Sequence, residues 1–472
     1  MHCVNYETRR RRLATQYGYS IQMAMYTRVS SQSSSMVSRT LVAGSARVPV
    51  WFERLWGKRT MRSGVLSVLA LIILSGSSGP AGTRIRVPFE TSIDADLAVA
   101  RVPFVIIDGR ILIDVTLNGH GPFRMIFDSG ASAVISRSTA QKLRLHLSAP
   151  HLESGTGNQS TEVATTTVEL LNLGAAELVH LPADVMPLVD MPPVFGTMRI
   201  DGILGRPVFD RYVIEVDYAD RVLILFDPKR FRPAIADVAL SFSRIRDVPL
   251  VSATLDGHIG LFGVDLGARS SLLVNAWFSD TAQLQTLFRG APKMVTGWGL
   301  GGPIYGKLGR AHDFTLAGMD IKSPLVRLSM QSSGLLSRTG TAGLIGADIL
   351  RQFTITFDSL QHVVYLRRSK LFGTATKFDQ SGMWIIPSSH GFRVIDVVPG
   401  GAAQRAGLFV NDEIWAVNGH AADRLLLPEL RDRWAEEAPG TLIHLKVRPR
   451  TYLPAQIARV AIAYLMEKSD AQ

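Results

Sequence analysis

The sequence predicts a mainly β protein made of two similar halves, followed by a smaller third unit with two short helices. Over the C-terminal two-thirds, short runs of β-branched and apolar residues alternate with Gly, Pro and Asp-Gly turns, a pattern typical of strands joined by tight connections. An Asp-x-Gly-Ala loop follows an apolar run at Asp128, and another does so 137 positions later at Asp265. With 472 residues, the chain is long enough for two or three hydrophobic cores.

The two Asp loops belong to a longer internal repeat. Four landmarks recur in the same order in both halves. As pairs, with the residue of the first half given first, they are Asn118 with Asp256, Asp128 with Asp265, Gly205 with Gly346, and Asp217 with Asp358. The first pair opens Asn-Gly or Asp-Gly hairpin turns, the third ends a short apolar stretch, and the fourth lies in a closing pair of strands. A lone Asp-Ser-Gly is often an ordinary turn, but the common spacing of four landmarks indicates a duplicated fold.

The repeated pattern of apolar strand, Asp-Ser-Gly-Ala, glycine-containing stretch and apolar-apolar-Gly element resembles the retropepsin-type aspartyl proteases. Its duplication resembles the two-lobed, pepsin-like form of that fold. The resemblance implies two tandem β-barrel lobes, at 100–230 and 245–370, which form one cleft. It also implies that Asp128 and Asp265 form a catalytic pair. Two carboxyl groups that share one proton are suited to activating water against a peptide bond.

The same resemblance gives roles to the residues beside the two Asp. Ser129 would be the hydroxyl that bonds across to the opposite loop, and small residues would let the backbones approach each other. These small residues are Gly130, Ala131, Gly267 and Ala268. The second loop departs from the pattern at Leu266, which cannot donate such a bond. Either the link between the loops is one-sided and the geometry is looser, or the second lobe is a degenerate copy in which Asp265 only packs against Asp128.

The substrate cleft is expected to be lined by residues next to the loops and by two glycine-rich hairpin tips. Ser132 and Arg269 follow the loops directly, and Arg269 is expected to favour the anionic form of Asp265, so that Asp128 holds the proton. The hairpin tips at 154–159 and 296–302 would close over the substrate, and their cleft residues are Gly155, Gly157, Trp298 and Gly299. Trp298 either covers the substrate or packs under its own turn.

The third unit has its own sequence signature. Between residues 392 and 419 it contains a strand, a Gly-Gly-Ala-Ala helix start, an Asn-Asp-Glu-Ile turn and an Asn-Gly hairpin. This order resembles a bacterial PDZ domain over residues 372–468. The resemblance implies a groove in which a C-terminal peptide pairs as an added strand, with its carboxylate held near Gly382, Met383 and Trp384. The alternative is a brace that is docked against the lobes and has no free groove.

Charge and cysteine content separate an N-terminal segment from the body of the protein. Of the net charge of +11, residues 1–60 contribute +8 and Arg62 one more, so the remainder carries only +2. Such a body lacks the basic face that nucleic-acid binding requires. Residues 1–60 are predicted to be a disordered or mis-started extension, and 61–82 resemble a signal peptide. Export to the periplasm or outside the cell is expected, with a retained membrane anchor as the alternative. The single cysteine is Cys3, which leaves the body without disulfides or thiol chemistry.

These observations together predict an aspartic endopeptidase. Its partners would be a peptide or protein substrate and a C-terminal peptide ligand of the third unit, and it would act as a monomer because one chain supplies both carboxylates. No metal or cofactor is expected, because the sequence lacks paired Cys and His-Glu-x-x-His spacing. Alanines at 131 and 268 in place of hydroxyls would raise the upper pKa of the pair. The alternatives are a catalytically degenerate peptide-binding or chaperone-like protein, and a scaffold whose working part is the third unit.

Overall fold

The computed structural model describes most of the chain beyond residue 96. The described residues are 97–154, 160–188, 192–245, 247–299, 302–331, 337, 339–448 and 456–461. The predicted extension and signal segment, and the first glycine-rich stretch with Gly155 and Gly157, lie outside these ranges.

Lobe 1 is the first of the two predicted halves. Its elements are β1 (Ala98–Pro103), β2 (Val105–Ile107), β3 (Arg110–Leu117), β4 (His120–Phe127), β5 (Val134–Ser136), α1 (Arg137–Lys142), β6 (His151–Ser154), β7 (Ser160–Leu173), β8 (Ala176–Met186), α2 (Pro192–Phe195), β9 (Gly202–Leu204), α3 (Arg206–Arg211), β10 (Val213–Asp217) and β11 (Val222–Phe226). Eight strands form a sheet in the order β2-β3-β4-β9-β5-β8-β7-β6. Asn118 and Gly119 both have positive φ in the β3–β4 turn, as the Asn-Gly pair predicts.

Lobe 2 repeats this arrangement. Its elements are β12 (Val238–Ser241), β13 (Ser243–Ile245), β14 (Val248–Leu255), β15 (His258–Val264), β16 (Leu272–Val274), α4 (Ala276–Thr281), a 3₁₀ turn (Leu284–Phe288), β17 (Met294–Gly299), β18 (Gly302–Arg310), β19 (Asp313–Leu316), β20 (Met319–Lys322), β21 (Leu325–Ser329), β22 (Gly343–Ile345), α5 (Ala347–Leu350), β23 (Phe353–Asp358) and β24 (Val363–Arg368). Its sheet runs β17-β18-β21-β16-β22-β15-β14-β19-β20, with β13 beside β14. The Asp256-Gly257 turn joins β14 to β15.

The equivalent landmarks of the two halves occupy equivalent places. In lobe 1, β4 runs parallel to β9, which pairs antiparallel with β5. In lobe 2, β15 runs parallel to β22, which pairs antiparallel with β16. Each Asp loop therefore leaves the end of a strand that is already fixed in the middle of its sheet.

A third sheet unites the two halves, in the order β1-β11-β10-β23-β24-β12. The closing strand pairs predicted for each half are β10 with β11 and β23 with β24, both antiparallel. They are joined by β10 and β23, which pair antiparallel with Ile214 opposite Phe357. Above this sheet, the ring of Phe209 lies 5.0 Å from that of Phe127 and 5.1 Å from that of Phe357. The hydrophobic core is thus continuous between the lobes.

The C-terminal domain is a smaller β unit with its own core around Trp434. Its elements are β25 (Met383–Ser388), β26 (Gly391–Val397), α6 (Ala402–Arg405), β27 (Glu413–Val417), β28 (His420–Ala421), a 3₁₀ turn (Ala422–Arg424), α7 (Leu427–Glu436), β29 (Leu442–Arg448) and β30 (Gln456–Ala461). The sheet order is β25-β26-β27-β29-β30, with β28 beside β27, so β25 is an edge strand. The predicted fold class, mainly β with two tandem lobes and a third unit with two short helices, is confirmed.

Candidate active site

Each of the two loop Asp residues is held by the strand that runs parallel to its own. The backbone N–H of Asp128 donates to the carbonyl of Leu204, at 3.1 Å, and that of Asp265 donates to the carbonyl of Ile345, at 3.0 Å. Gly205 and Gly346 directly follow these two supporting strands. A Cβ at Gly205 would collide with the carbonyl oxygens of Asp128 and Ala131, and a Cβ at Gly346 with those of Ala268 and Ser270. The glycines of the apolar-apolar-Gly landmarks therefore allow the loops to fold back over these strands.

The two alanines of the loops anchor the helices that follow. The carbonyl of Ala131 accepts the N–H of Arg206, and the carbonyl of Ala268 accepts the N–H of Ala347, both at 2.8 Å. These bonds tie each loop to the start of α3 or α5, so the loop is fixed at both ends.

The two carboxyl groups meet where the lobes face each other. Asp128 accepts the N–H of Gly130 at 2.8 Å, and Asp265 accepts those of Gly267 and Ala268 at 2.9 and 3.0 Å. The two carboxyl groups are neighbours, because a Cβ placed on Gly130 would lie 3.4 Å from Oδ1 of Asp128 and 3.6 Å from Cγ of Asp265. A Cβ at 267 would overlap the carboxylate of Asp128, so this position has room only for glycine.

A single hydroxyl links the two loops. Ser129 is buried, and its Oγ donates to the carbonyl of Val264 at 2.9 Å and accepts the N–H of Leu266 at 3.1 Å. Leu266 has no hydroxyl with which to make the reciprocal bonds, and its fully buried side chain lies in the main hydrophobic core instead. The link is therefore one-sided, with the serine acting as both donor and acceptor.

Burial gives this pair of acids unusual proton affinities. Burial, together with the negative charge of Asp128, raises the pKa of Asp265 to about 8. Burial also raises the pKa of Asp128, against the lowering effect of the Gly130 N–H and of the positive charge of Arg110. Two acids so close share one proton over a wide pH range, and a pKa of about 8 keeps Asp265 protonated at neutral pH.

Arg269, which was expected to act on Asp265, pairs with a different carboxylate, and the assignment of the proton to Asp128 stays a prediction. The guanidinium of Arg269 donates to Asp108 at 2.5 Å and lies 5.8 Å from the ring centre of Trp384. The charge that lowers the pKa of both catalytic acids is instead Arg110, at the start of β3. Sequence reasoning missed Arg110, whose only signal is its position directly after an Asp-Gly turn in the first half.

The remaining predicted cleft residues differ in what they contact. Ser132 donates to Asp184 on β8, at 2.8 Å, and so engages its own lobe. Trp298 and Gly299 lie near the tip of the β17–β18 hairpin. Half-buried Trp298 packs against an apolar cluster of lobe 1 that contains Leu112 and Phe195. Trp298 therefore contacts lobe 1 from the hairpin of lobe 2, and that it covers a substrate stays a prediction.

In the predicted carboxylate-binding loop of the C-terminal domain, a carboxylate of the protein itself already accepts one backbone N–H. Gly382 has a φ of 73°, and a Cβ there would press on the backbone of Gly401 and Ala402, so a glycine is needed. The N–H of Ser381, beside it, donates to the buried carboxylate of Asp379 at 2.8 Å. Met383 and Trp384 begin β25, and Trp384 stacks on Arg431 with 4.5 Å between guanidinium carbon and ring centre.

Metal binding and membrane insertion have no support in the described part of the chain. Among these residues, no group of three or more His, Cys, Asp or Glu is placed to hold a metal ion. Over the same residues, no helix combines the length and apolar character needed to cross a membrane.

Comparisons with known proteins agree with the motifs. Residues 113–208, which contain Asp128 and its loop, match a family model described as aspartyl protease, and residues 367–432 match the PDZ domain. Among solved structures, the chain is similar to an aspartic proteinase from Irpex lacteus, at 10% identity and a TM-score of 0.39, over 58% of this chain and 98% of that one. No curated protein matches the chain. The predicted resemblance to an aspartyl protease followed by a PDZ domain is confirmed.

Proposed function

We propose that this protein, which carries an aspartyl protease-like domain and a PDZ domain, is an aspartic endopeptidase that uses Asp128 and Asp265 to activate water. The observation that carries the proposal is the meeting of two carboxyl groups from two equivalent loops at the junction of the lobes. Their raised pKa values keep one proton on the pair, which is the protonation state that water activation needs.

The pKa of about 8 for Asp265 divides the work between the two acids. At neutral pH, Asp265 is protonated and hydrogen-bonds the oxygen of the scissile carbonyl, whereas Asp128 is the base that takes a proton from the attacking water. The water oxygen adds to the carbonyl carbon, the C–N bond then breaks, and a proton passes to the leaving amine. No covalent bond to the protein forms. A pKa of about 8 for Asp265 extends the working range to neutral pH.

Cleavage of a library of denatured-proteome peptides by the full chain tests this proposal. Wild type, Asp128→Asn and Asp265→Asn would be compared from pH 4 to 9, with Asp423→Asn on the exposed surface as the control. We expect the first two substitutions to lower cleavage by about 10²- to 10⁴-fold, the usual contribution of a positioned acid or base. Absence of cleavage at every pH, or cleavage that survives both substitutions, would overturn the proposal.

One observation favours a second function, binding of unfolded peptides without cleavage. The observation is the one-sided link between the loops, in which Leu266 supplies no hydroxyl to match Ser129. In this case wild type would retain peptides without cleaving them, and Asp128→Asn would bind equally well. For the peptidase, only the substituted protein would retain uncleaved peptides.

We also propose that the protein acts outside the cytoplasm, on the basis of the signal-like segment at 61–82. Sequencing of the N-terminus of the protein from its native host tests this. We expect a mature N-terminus shortly after residue 82. Peptides from residues 1–60 in the mature protein would overturn the proposal.

A further inference from the structure

The strand β17, which carries Trp298, lies at one end of the lobe 2 sheet, where β18 is its neighbour. Backbone groups along the outer side of such an edge strand need a partner other than a strand of the same sheet. The N–H of Val295 has one, because it donates to the carboxylate of Asp396, in β26 of the PDZ domain, at 2.6 Å. A side chain of the PDZ domain therefore holds the edge of the β17–β18 hairpin.

A bulge lies directly beside this contact. The residue pairs across the hairpin are Val295 with Tyr305 and Gly297 with Ile304. Thr296 is therefore an extra residue on β17, and its hydroxyl donates to the carbonyl of Ile304 at 3.2 Å. A bulge bends its strand, so the direction in which the hairpin continues toward its tip depends on how Thr296 is held.

Arg327 on β21 holds the bulge from the side of lobe 2. Its guanidinium donates to the carbonyl of Thr296, and the residue is only 6% exposed. Burial lowers the pKa of Arg327 to about 10, so the group is still charged at neutral pH. A buried charge is costly without polar partners, and here the Thr296 carbonyl and the negative charges of Asp348 and Asp108 compensate it. Asp396 and Arg327 therefore bind consecutive residues of β17.

The part of the PDZ domain that contacts the hairpin also contacts the second Asp loop. Asp396 lies opposite Trp384 in the β25–β26 pair. The ring centre of Trp384 is 5.8 Å from the guanidinium carbon of Arg269, which is four positions after Asp265. The PDZ domain thus contacts both the base of the hairpin and the residue that directly follows the loop.

The other end of the hairpin reaches lobe 1. Trp298 is half-buried and packs on the apolar cluster that contains Leu112 and Ile126. Ile126 is two positions before Asp128. The hairpin therefore extends from the PDZ domain, near its base, to the strand that leads into the first Asp loop.

We propose that Asp396 and Arg327 are positioning residues that fix the bulge at Thr296 and so hold Trp298 on lobe 1, which makes the PDZ domain set the place of the hairpin over the cleft. In the proposed peptidase the substrate lies between the hairpin and the Asp loops. The two residues then act on substrate binding and leave the pair of acids in place. This effect on cleavage rests on the proposed peptidase function, whereas the position of the hairpin does not.

Hydrogen exchange of the hairpin in the full chain tests the positioning without any need for catalysis. Asp396→Ala removes the acceptor, whereas Asp396→Asn keeps an oxygen in its place, and both should fold because Asp396 is only half-buried. We expect Asp396→Ala to speed exchange of the amides of residues 297–299 by about tenfold, which corresponds to about 1.4 kcal/mol. Asp396→Asn should keep most of the protection, and the exposed control Asp423→Ala should keep all of it.

A second variant releases the bulge from the other side. Arg327→Met keeps a long side chain but loses the bond to the Thr296 carbonyl, so it should speed exchange of the same amides by a similar factor. The amides of residues 213–217, in the sheet that unites the lobes, report on global unfolding. Their exchange should match that of wild type in every variant.

Kinetics on a short peptide test the consequence for cleavage. We expect Asp396→Ala to raise KM about tenfold and to change kcat by less than about twofold, the pattern of lost binding without a change at the reacting groups. Faster exchange of the hairpin with no cleavage by any variant, wild type included, would leave the positioning standing and reject the peptidase. Cleavage by wild type, with unchanged hairpin exchange in both Asp396→Ala and Arg327→Met, would overturn the positioning. Equal acceleration in Asp423→Ala would overturn it too.

Discussion

The loops at 128–131 and 265–268 share a backbone course but divide their tasks unequally. In both, the Asp accepts the N–H of the glycine two positions later, and the alanine carbonyl anchors the next helix. Between Asp and glycine, however, lobe 1 has a buried serine that bonds across to the other loop, and lobe 2 has a buried leucine that packs into the core. The difference shows that one hydroxyl can tie two loops, because it donates and accepts at once, which frees the other position for apolar packing.

Substitution of Ser129 and of Leu266 by alanine measures how much the hydrogen bonds and the apolar packing each contribute to stability. Leu266→Ala should lower the free energy of unfolding by about 2–5 kcal/mol, because it leaves a cavity in a closed core. Ser129→Ala should lower it by about 1–3 kcal/mol, because the Val264 carbonyl and the Leu266 N–H lose their partner. Urea denaturation gives both values. A larger loss for Ser129→Ala would mean that the polar link, and not the packing, dominates the junction.

The glycines of the two loops should differ in their tolerance of alanine. A Cβ at 267 would overlap the Asp128 carboxylate, whereas at 130 the nearest atoms would be at 3.4 Å, an ordinary contact. We expect Gly267→Ala to lower kcat/KM by about a hundredfold, as displacement of a catalytic group by about 1 Å does, and Gly130→Ala to have a much smaller effect. Kinetics on a short peptide, with circular dichroism to check folding, measure both. Equal losses would contradict the geometry.

The two acids should also differ in their effect on stability at alkaline pH. Because the pKa of Asp265 is raised from 3.8 to about 8, its contribution to stability is fully present below about pH 4 and is lost as the pH rises through about 8. Asp265→Asn cannot ionise, so its melting temperature relative to wild type should increase by a few °C between pH 4 and pH 9. Asp128→Asn, in which Asp265 can still ionise, is the comparison. A relative melting temperature that falls over this range would refute the assignment of the proton.

The smallest expected effect distinguishes the two arginines near the loops. The charge of Arg110 lowers the pKa of both acids, so Arg110→Gln should move the alkaline limb of the activity profile upward, by less than about one pH unit. Arg269→Ala should leave that limb in place. The profile of kcat/KM against pH gives the answer. A shift in Arg269→Ala alone would restore the role that the sequence suggested for it.

The loops were predictable from the sequence because local rules specify them. Asn118-Gly119 forms the expected turn with positive φ, and Gly205 and Gly346 permit close backbone contacts that no other residue permits. Such requirements leave a mark on the sequence at fixed spacing.

The contacts between the two lobes, and between the lobes and the C-terminal domain, have no comparable signature in the sequence. Nothing in the Asp-Gly-Arg turn at 108–110 indicates that its carboxylate would meet Arg431, more than three hundred residues away. For the same reason, the pairing of Arg269 with Asp108 could not be predicted. Pairing of β10 with β23 is equally hidden, because each strand by itself is only a short alternation of apolar and polar residues.

That strand pair has a consequence for how the protein is made. The residues that pair, 213–217 with 353–358, are separated by more than 130 positions, and a ribosome needs on the order of ten seconds to add that length of chain. During this time β10 has no partner on its outer side, and Asp128 faces no second carboxylate. If the proposed two-carboxylate mechanism holds, the nascent chain gains the ability to hydrolyse peptides only once the second lobe is complete.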